Sequence, residues 1–212
     1  MKIQILTSKN SWLNSNKKKF IKKKGIWKNV KIINNHKKIK KNTDITAILS
    51  YYNIIPEKFF KHSKHNLVVH ESDLPKGRGF SPLYWQIING ANKITFSLFE
   101  CSKKMDAGKI YIKRKFIFPR SFTYDEIKRK QLVSALKLIE TFIKNFKKNK
   151  IKSSVQKGKA TYYKKVPKNL SKININKSII SQINIIRTRD NNKFPTYFFY
   201  KKRKYYLKLY TE

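Results

Sequence analysis

The 212-residue sequence holds a single cysteine, Cys101. That excludes an internal disulfide and any cysteine-rich metal centre, and makes a reducing, cytoplasmic setting the expectation. No stretch approaches the roughly 20 consecutive apolar residues that a membrane-spanning helix requires. The opening MKIQILTSKN has too short an apolar run, and no small-residue cleavage site, to read as a signal peptide. Acidic residues are few, 11 against 51 lysines and arginines. Glycine and proline are scarce too, with six of each. Residues 70–79, HESDLPKGRG, nevertheless gather a histidine, two acids, two glycines and a proline.

What is abundant is lysine, isoleucine and asparagine. The formal net charge is +40, which admits two readings. A basic surface that releases counterions from phosphates would mark a nucleic-acid-binding protein. A genome rich in A and T would enrich lysine, asparagine and isoleucine everywhere. Lysine outnumbers arginine, the better bidentate phosphate ligand, and the lysines run from Lys2 to Lys208. Compositional bias is therefore preferred, and nucleic acid is a disfavoured partner. With 40% hydrophobic and 14% aromatic residues, the chain is globular rather than disordered and has enough apolar material for one core.

Periodicity predicts an α/β domain over residues 1–212. KIQIL near the N-terminus, NVKIINN (29–35), DITAILSYY (44–52) and NLVVHES (66–72) read as strands. A weakly helical, lysine-rich stretch containing Phe20 and Ile21 ends at Gly25. A short helix opens at Pro56–Glu57, and SPLYWQIING (81–90) reads as another. KITFSLFE and GKIYIKRKFIF follow as strands. Thr123 and Glu126 form a capping box. Leu132, Leu136, Ile139, Ile143 and Phe146 then mark the buried stripe of a long helix. Residues 149–160 read as a surface connection, 178–187 as a short helix, and FPTYFFY with KYYLKLY as a terminal hairpin. Strands alternating with helices predict a Rossmann-like, mainly parallel sheet with flanking helices. Ligands of such sheets sit beyond the carboxyl ends of the strands, where the 70–79 loop falls.

Two residues there carry chemistry. His70 ends an apolar strand beside a glycine-bearing turn, and Asp106 precedes Ala-Gly in another turn. Taken singly, the histidine has an ordinary structural explanation, and the aspartate one as a turn former. As a pair at strand-to-loop junctions of one sheet they are better candidates. His62, His65 and His70 are spaced too irregularly, with no matching acid pair, for a metal site; none is expected.

HESDLPKGRGFSP, WQIING, KITFSLFE and MDAGKIY together resemble the signature of folate-dependent formyltransferases. The resemblance covers residues 44–118, with His70, Ser72, Leu74, Pro75, Arg78, Gly79, Pro82, Gly90, Asp106 and Gly108 at matching places. It extends more weakly to KATYYKKVP and IIRTRDNNKFPTYF. It implies formyl transfer from N10-formyltetrahydrofolate to an amine, with His70 and Asp106 as catalytic residues. The histidine would serve the developing oxyanion or relay a proton, and the carboxylate would orient it and accept a proton from the amine. AILSYYNIIP resembles the folate-binding wall, which implies that Tyr51, Ile55, Leu74 and Gly108 meet the folate. Pro75, Gly77 and Gly79 would let backbone pass close to the reacting centre. One departure stands out: the family's oxyanion-holding asparagine is replaced by Val68. Asn66 lies two residues further from His70 along the strand, about 13 Å back from the histidine, and does not substitute for it.

The wording SDLPKGRGFSPLYWQI is most similar to the branch that formylates nucleotide-linked amino sugars. Lys76 and Arg78 would then meet a diphosphate, and Tyr84 or Trp85 a base or sugar, although core packing explains the aromatics equally well. An initiator-tRNA-like enzyme reduced to its catalytic domain is the alternative among enzymes. A non-catalytic, basic nucleic-acid-binding relative is the alternative outside them.

Overall fold

The structure, a computed structural model, describes residues 1–21 and 25–212. Its elements in chain order are β1 (Ile3–Leu6), α1 (Trp12–Phe20), β2 (Lys31–Ile33), β3 (Thr43–Ile48), β4 (Ser63–His70), β5 (Arg78–Gly79), α2 (Pro82–Ile88), β6 (Lys93–Glu100), β7 (Ile110–Ile117), α3 (Tyr124–Lys147), β8 (Tyr162–Tyr163), α4 (Ile179–Ile186), β9 (Thr196–Tyr200) and β10 (Arg203–Leu207).

Short runs of isoleucine, leucine and valine form the sheet because both of its faces are covered, as the unbroken burial of β1 shows. Six strands lie in the order β2-β1-β3-β4-β6-β7. The pairs among β2, β1, β3 and β4 are parallel, whereas β4–β6 and β6–β7 are antiparallel. The expected Rossmann-like architecture is therefore present, as a mixed sheet whose later edge turns antiparallel. That turn follows from the connections: the chain leaves β4 through the 71–81 loop and α2, then returns along its other side.

One face of the sheet carries the main core. Ile3, Ile5, Ile45, Ala47, Leu67, Phe96 and Leu98 meet Leu132, Leu136, Leu138, Ile139, Phe142 and Ile143 of α3. The predicted capping box is formed: Thr123 N–H donates to Glu126 Oε2 at 2.8 Å, and Asp125 and Glu126 occupy the first turn. Phe142 is 1% exposed, and cutting it to alanine should cost about 3–5 kcal/mol. The opposite face divides into two zones. Its lower half is a polar network in which Gln4 Nε2 donates to Thr46 Oγ1 at 2.9 Å, and Thr46 and Ser63 share a 2.6 Å hydrogen bond. Its upper half is apolar, with Leu6, Ile39 and Ile48 packed by Tyr51, Ile55, Val68 and Cys101.

Several boundaries move. β3 stops at Ile48, so Leu49–Tyr52 is loop rather than strand, and β4 starts earlier than predicted and ends on His70. The helix expected after Pro56 is a 3-10 helix, Glu57–His62. Helix α1 begins at Trp12, where Ser11 caps it by accepting from Asn14 N–H; the expected continuation through 22–24 lies outside the described residues. β5 and β8 were not foreseen, because two-residue strands leave no periodic signal. The terminal hairpin is present as β9–β10.

Candidate active site

β4 delivers His70 to the carboxyl edge of the sheet and buries it there, 7% exposed. Its Nε2 lies 2.8 Å from the Gly77 carbonyl oxygen. A carbonyl only accepts, so Nε2 carries the proton in that contact. Asp106 Oδ2 stands 3.7 Å from the same nitrogen, outside hydrogen-bond range. That carboxylate oxygen instead accepts the Gly79 N–H at 2.8 Å. The two residues thus face each other across a loop that both of them hold.

Asp106 sits in the turn between β6 and β7 with φ +51°, a left-handed conformation that aspartate tolerates better than most residues. Gln156 fastens that turn, donating from Nε2 to the Asp106 and Gly108 carbonyl oxygens at 2.8 and 2.9 Å. Gly108 has no alternative: a Cβ there would run into the Glu100 carbonyl oxygen.

The 71–79 loop is tied at almost every step. Ser97 Oγ donates to the Ser72 carbonyl at 2.7 Å, and Lys113 Nζ to the Leu74 carbonyl at 2.6 Å. Gly77 N–H donates to Thr161 Oγ1 at 2.8 Å, and β5 pairs in parallel with β8. This pairing explains Gly79, whose φ is +98° and whose Cβ would fall 2.5 Å from the Tyr163 carbonyl oxygen.

The anticipated folate contacts divide between two clusters that Val68 bridges. Tyr51 and Ile55 pack with Leu6, Ile39 and Ile48, while Leu74 is fully buried with Phe99 and Ile110. Tyr52 and Ile54 on the same loop are 66% and 89% exposed, an uncovered apolar rim. Cys101 belongs to this wall; burial, with the charges of Glu100 and Asp106, pushes its thiol up to about 12. Asn66 is occupied elsewhere, donating from Nδ2 to the Phe60 carbonyl at 2.9 Å and from its N–H to Glu100 Oε1 at 2.6 Å.

The anticipated acceptor contacts do not all converge. Arg78 is buried behind the loop, donating to Gln156 Oε1 at 2.7 Å and Tyr162 Oη at 3.3 Å. Tyr84 stacks on Tyr124, ring centroids 6.3 Å apart, with Lys128 Nζ 5.6 Å above its ring. Burial drives the Tyr84 hydroxyl well above its ordinary value. Trp85 pins the distal segment, its Nε1 donating to the Lys164 carbonyl at 2.9 Å. Lys76 is exposed and lines a separate cavity. Glu71, Asp73 and Asp106 have separate partners: Glu71 accepts from Gln131 at 2.6 Å, Asp73 pairs with Lys113 at 2.6 Å, and Asp106 accepts from Gly79. His65 contacts Tyr111 and Glu100, and His62 the Ile39 carbonyl. Among the described residues no three His, Cys, Asp or Glu side chains group as metal ligands, and no helix is long and apolar enough to cross a membrane.

Gln156, Thr161 and Lys113 fasten the loop and turn of this candidate site and were missed by sequence reasoning. A polar residue in a surface connection gives no sign of its distant partner.

Known proteins share this fold. The methionyl-tRNA formyltransferase of Thermodesulfovibrio yellowstonii is 28% identical over 153 residues, 71% of this chain and 50% of the relative. The chain thus spans about half the length of such curated relatives. A 4-N formyltransferase from Francisella tularensis superposes with a TM-score of 0.71 at 18% identity, covering 100% of this chain and 98% of that one. HypX from Aquifex aeolicus in complex with tetrahydrofolic acid gives 0.78 at 16% identity, over 99% of this chain and 37% of that one. The formyl transferase family model matches residues 2–140, strands β1 to β7 and most of α3 included. A chain that matches this model over most of its length belongs to the formyl transferase family.

Proposed function

We propose that this protein moves a formyl group from N10-formyltetrahydrofolate to the amino group of an amino sugar, nucleotide-linked, working as one domain in the cytoplasm. The observation that carries this reading is His70 Nε2 held 3.7 Å from Asp106 Oδ2 inside a loop fastened on both sides.

The chemistry needs few groups. The acceptor nitrogen attacks the formyl carbon and a C–N bond forms. Negative charge gathers on the formyl oxygen until the bond to N10 breaks and returns it. One proton leaves the acceptor nitrogen and one arrives at N10. His70 supplies the N–H that answers the oxyanion or relays the proton, and Asp106 takes the proton from the amine. The donor's flat heterocycle suits the wall of Tyr51, Ile55, Val68, Cys101 and Leu74, with its exposed rim at Tyr52 and Ile54. Gly108 lets the Asp106 turn close against this wall. On the acceptor side, Tyr84 and Lys76 offer an aromatic face and a cation. Arg78 acts from behind, fixing Gln156 and through it the Asp106 turn.

The sugar reading rests on the wording of residues 72–87 and on fold neighbours such as the Francisella tularensis enzyme. A second reading has its own support: curated relatives in sequence are methionyl-tRNA formyltransferases, and the charge of +40 would favour an RNA acceptor. Transfer of isotopically labelled formyl from N10-formyltetrahydrofolate to UDP- and dTDP-linked amino sugars, with aminoacylated initiator tRNA beside them, separates the two. Label on a sugar establishes the first reading, and label on tRNA the second. Label on neither, with salt-sensitive RNA binding, would reject formyl transfer for this chain.

A further inference from the structure

The β9–β10 hairpin is a two-stranded sheet of its own, and aromatic rings reach solvent from both of its faces. The register puts Tyr200, Arg203 and Tyr205 on one face, and Tyr197, Phe199, Lys204 and Tyr206 on the other. Tyr200 and Tyr206, one from each face, are 51% and 58% exposed. Ammonium groups stand over these rings. Lys204 Nζ lies 4.1 Å from the Tyr197 centroid and 5.0 Å from that of Tyr206, and Lys201 Nζ lies 5.7 Å from that of Tyr200. Residues 193–210 hold eight aromatics and six cations, and no acid.

Compositional bias accounts for lysines spread along the chain, but it does not decide where rings are placed. In the main body Phe96, Phe99, Phe118 and Phe142 are fully buried. In the ribbon, rings stay in water beside cations. Cations without an acid select an anionic partner, and exposed rings select one with flat faces to stack. A duplex hides its base faces within its own stack, whereas a single strand offers phosphates and free bases together. A second copy of the chain would set six further cations against these six, and lysines along an edge strand oppose pairing with another. A lipid surface takes up one apolar face, and here the rings are divided between two. We propose that the β9–β10 ribbon is a docking platform for single-stranded nucleic acid, its tyrosines stacking bases and its lysines meeting phosphates. This reading is independent of the donor and of which acceptor is formylated.

Fluorescence anisotropy with a labelled 12-nucleotide RNA of mixed sequence, single-stranded and as a duplex, tests it. The wild-type chain should bind the single strand more tightly than the duplex, with both affinities falling as salt rises. The double variant Tyr200→Ala, Tyr206→Ala keeps every charge, and both side chains are exposed, so the fold should survive. It should bind the single strand about 10-fold or more weakly, with the salt dependence and the duplex affinity unchanged. Tyr200→Phe with Tyr206→Phe keeps the rings and should bind like wild type. Equal single-strand affinity of the alanine variant and wild type refutes the platform and leaves diffuse charge as the attraction. No preference for the single strand, or no binding, refutes it too. Sedimentation that shows a dimer lost in the alanine variant, with RNA binding intact, would assign the ribbon to contact between copies. Binding to phosphatidylserine vesicles that needs the two tyrosines, with RNA binding intact, would assign it to a lipid surface; either result overturns the proposal.

Discussion

His70 Nε2 and Asp106 Oδ2 stand 3.7 Å apart, yet each makes its hydrogen bond to the loop between them: the imidazole to the Gly77 carbonyl, the carboxylate to the Gly79 N–H. The pair is held in register by backbone rather than by direct bonding. The position of each side chain depends on the loop.

It follows that Asp106→Asn should keep the loop and remove the charge, because an amide oxygen still accepts from Gly79. Formyl transfer should fall about 10²- to 10⁴-fold, the range for a lost acid–base group. Melting temperature should move by only a few degrees. His70→Asn should lose activity similarly. Single-turnover rates beside thermal unfolding check both, and a rate within threefold of wild type for either would remove that residue from the mechanism.

Val68→Asn restores the amide that the family signature carries two residues before the histidine. Where an oxyanion donor is missing, its return should raise the transfer rate about 100-fold or more. Stability should drop by about 1–3 kcal/mol, because the amide enters an apolar junction. An unchanged rate would mean that another donor already serves the oxyanion.

Gly79→Ala brings a Cβ to 2.5 Å from the Tyr163 carbonyl at a φ of +98°. Urea unfolding should show a loss of about 2–4 kcal/mol, combining left-handed strain with forced separation of β5 from β8.

Cys101 should resist alkylation. With its thiol pushed up to about 12, the thiolate fraction at pH 8 is on the order of 10³-fold below that of a free cysteine. Iodoacetamide labelling should be correspondingly slow in the native chain, accelerate as pH rises toward the thiol's own range, and become fast in urea.

Asp44 is the carboxylate for which acid sensitivity can be signed. The Lys64 ammonium at 2.8 Å, together with the Lys2 N–H, holds it below the usual carboxylate range. A depressed folded value adds stability above the unfolded value, near 3.9. That stability is lost as pH falls through the folded one. Asp44→Asn should therefore be less stable than wild type by up to about 1 kcal/mol at neutral pH. The gap should close below about pH 4, as denaturant midpoints across pH would show.

Much of this was legible in the sequence, and the reasons are local. Alternating apolar runs marked every strand of the main sheet because each buries a face, and Thr123 with Glu126 marked the start of α3 because a cap is a four-residue signal. His70 and Asp106 could be singled out as a pair because rare residues stood at strand ends inside a recognisable signature, and the structure brings them within 3.7 Å. Arg78 was read as facing a substrate because its spacing matched. Its actual surroundings, Gln156 and Tyr162, come from far along the chain and have no periodic trace. The same holds for Thr161 under Gly77 and for the separate partners of Glu71, Asp73 and Asp106. A sequence shows which charges are near one another in order, and the packing of α3 and β7 decides which neighbours claim them.

The two-residue pairing of β5 with β8 has a further consequence. The family match stops at residue 140, but the backbone that clasps Gly77 to Phe80 arrives with Thr161 and Tyr163. During synthesis the sheet and α3 can leave the ribosome with the signature loop still unclasped. The loop is clasped only when the last quarter emerges, so a nascent chain cut short there would carry every signature residue without the backbone that fastens Gly77 to Phe80.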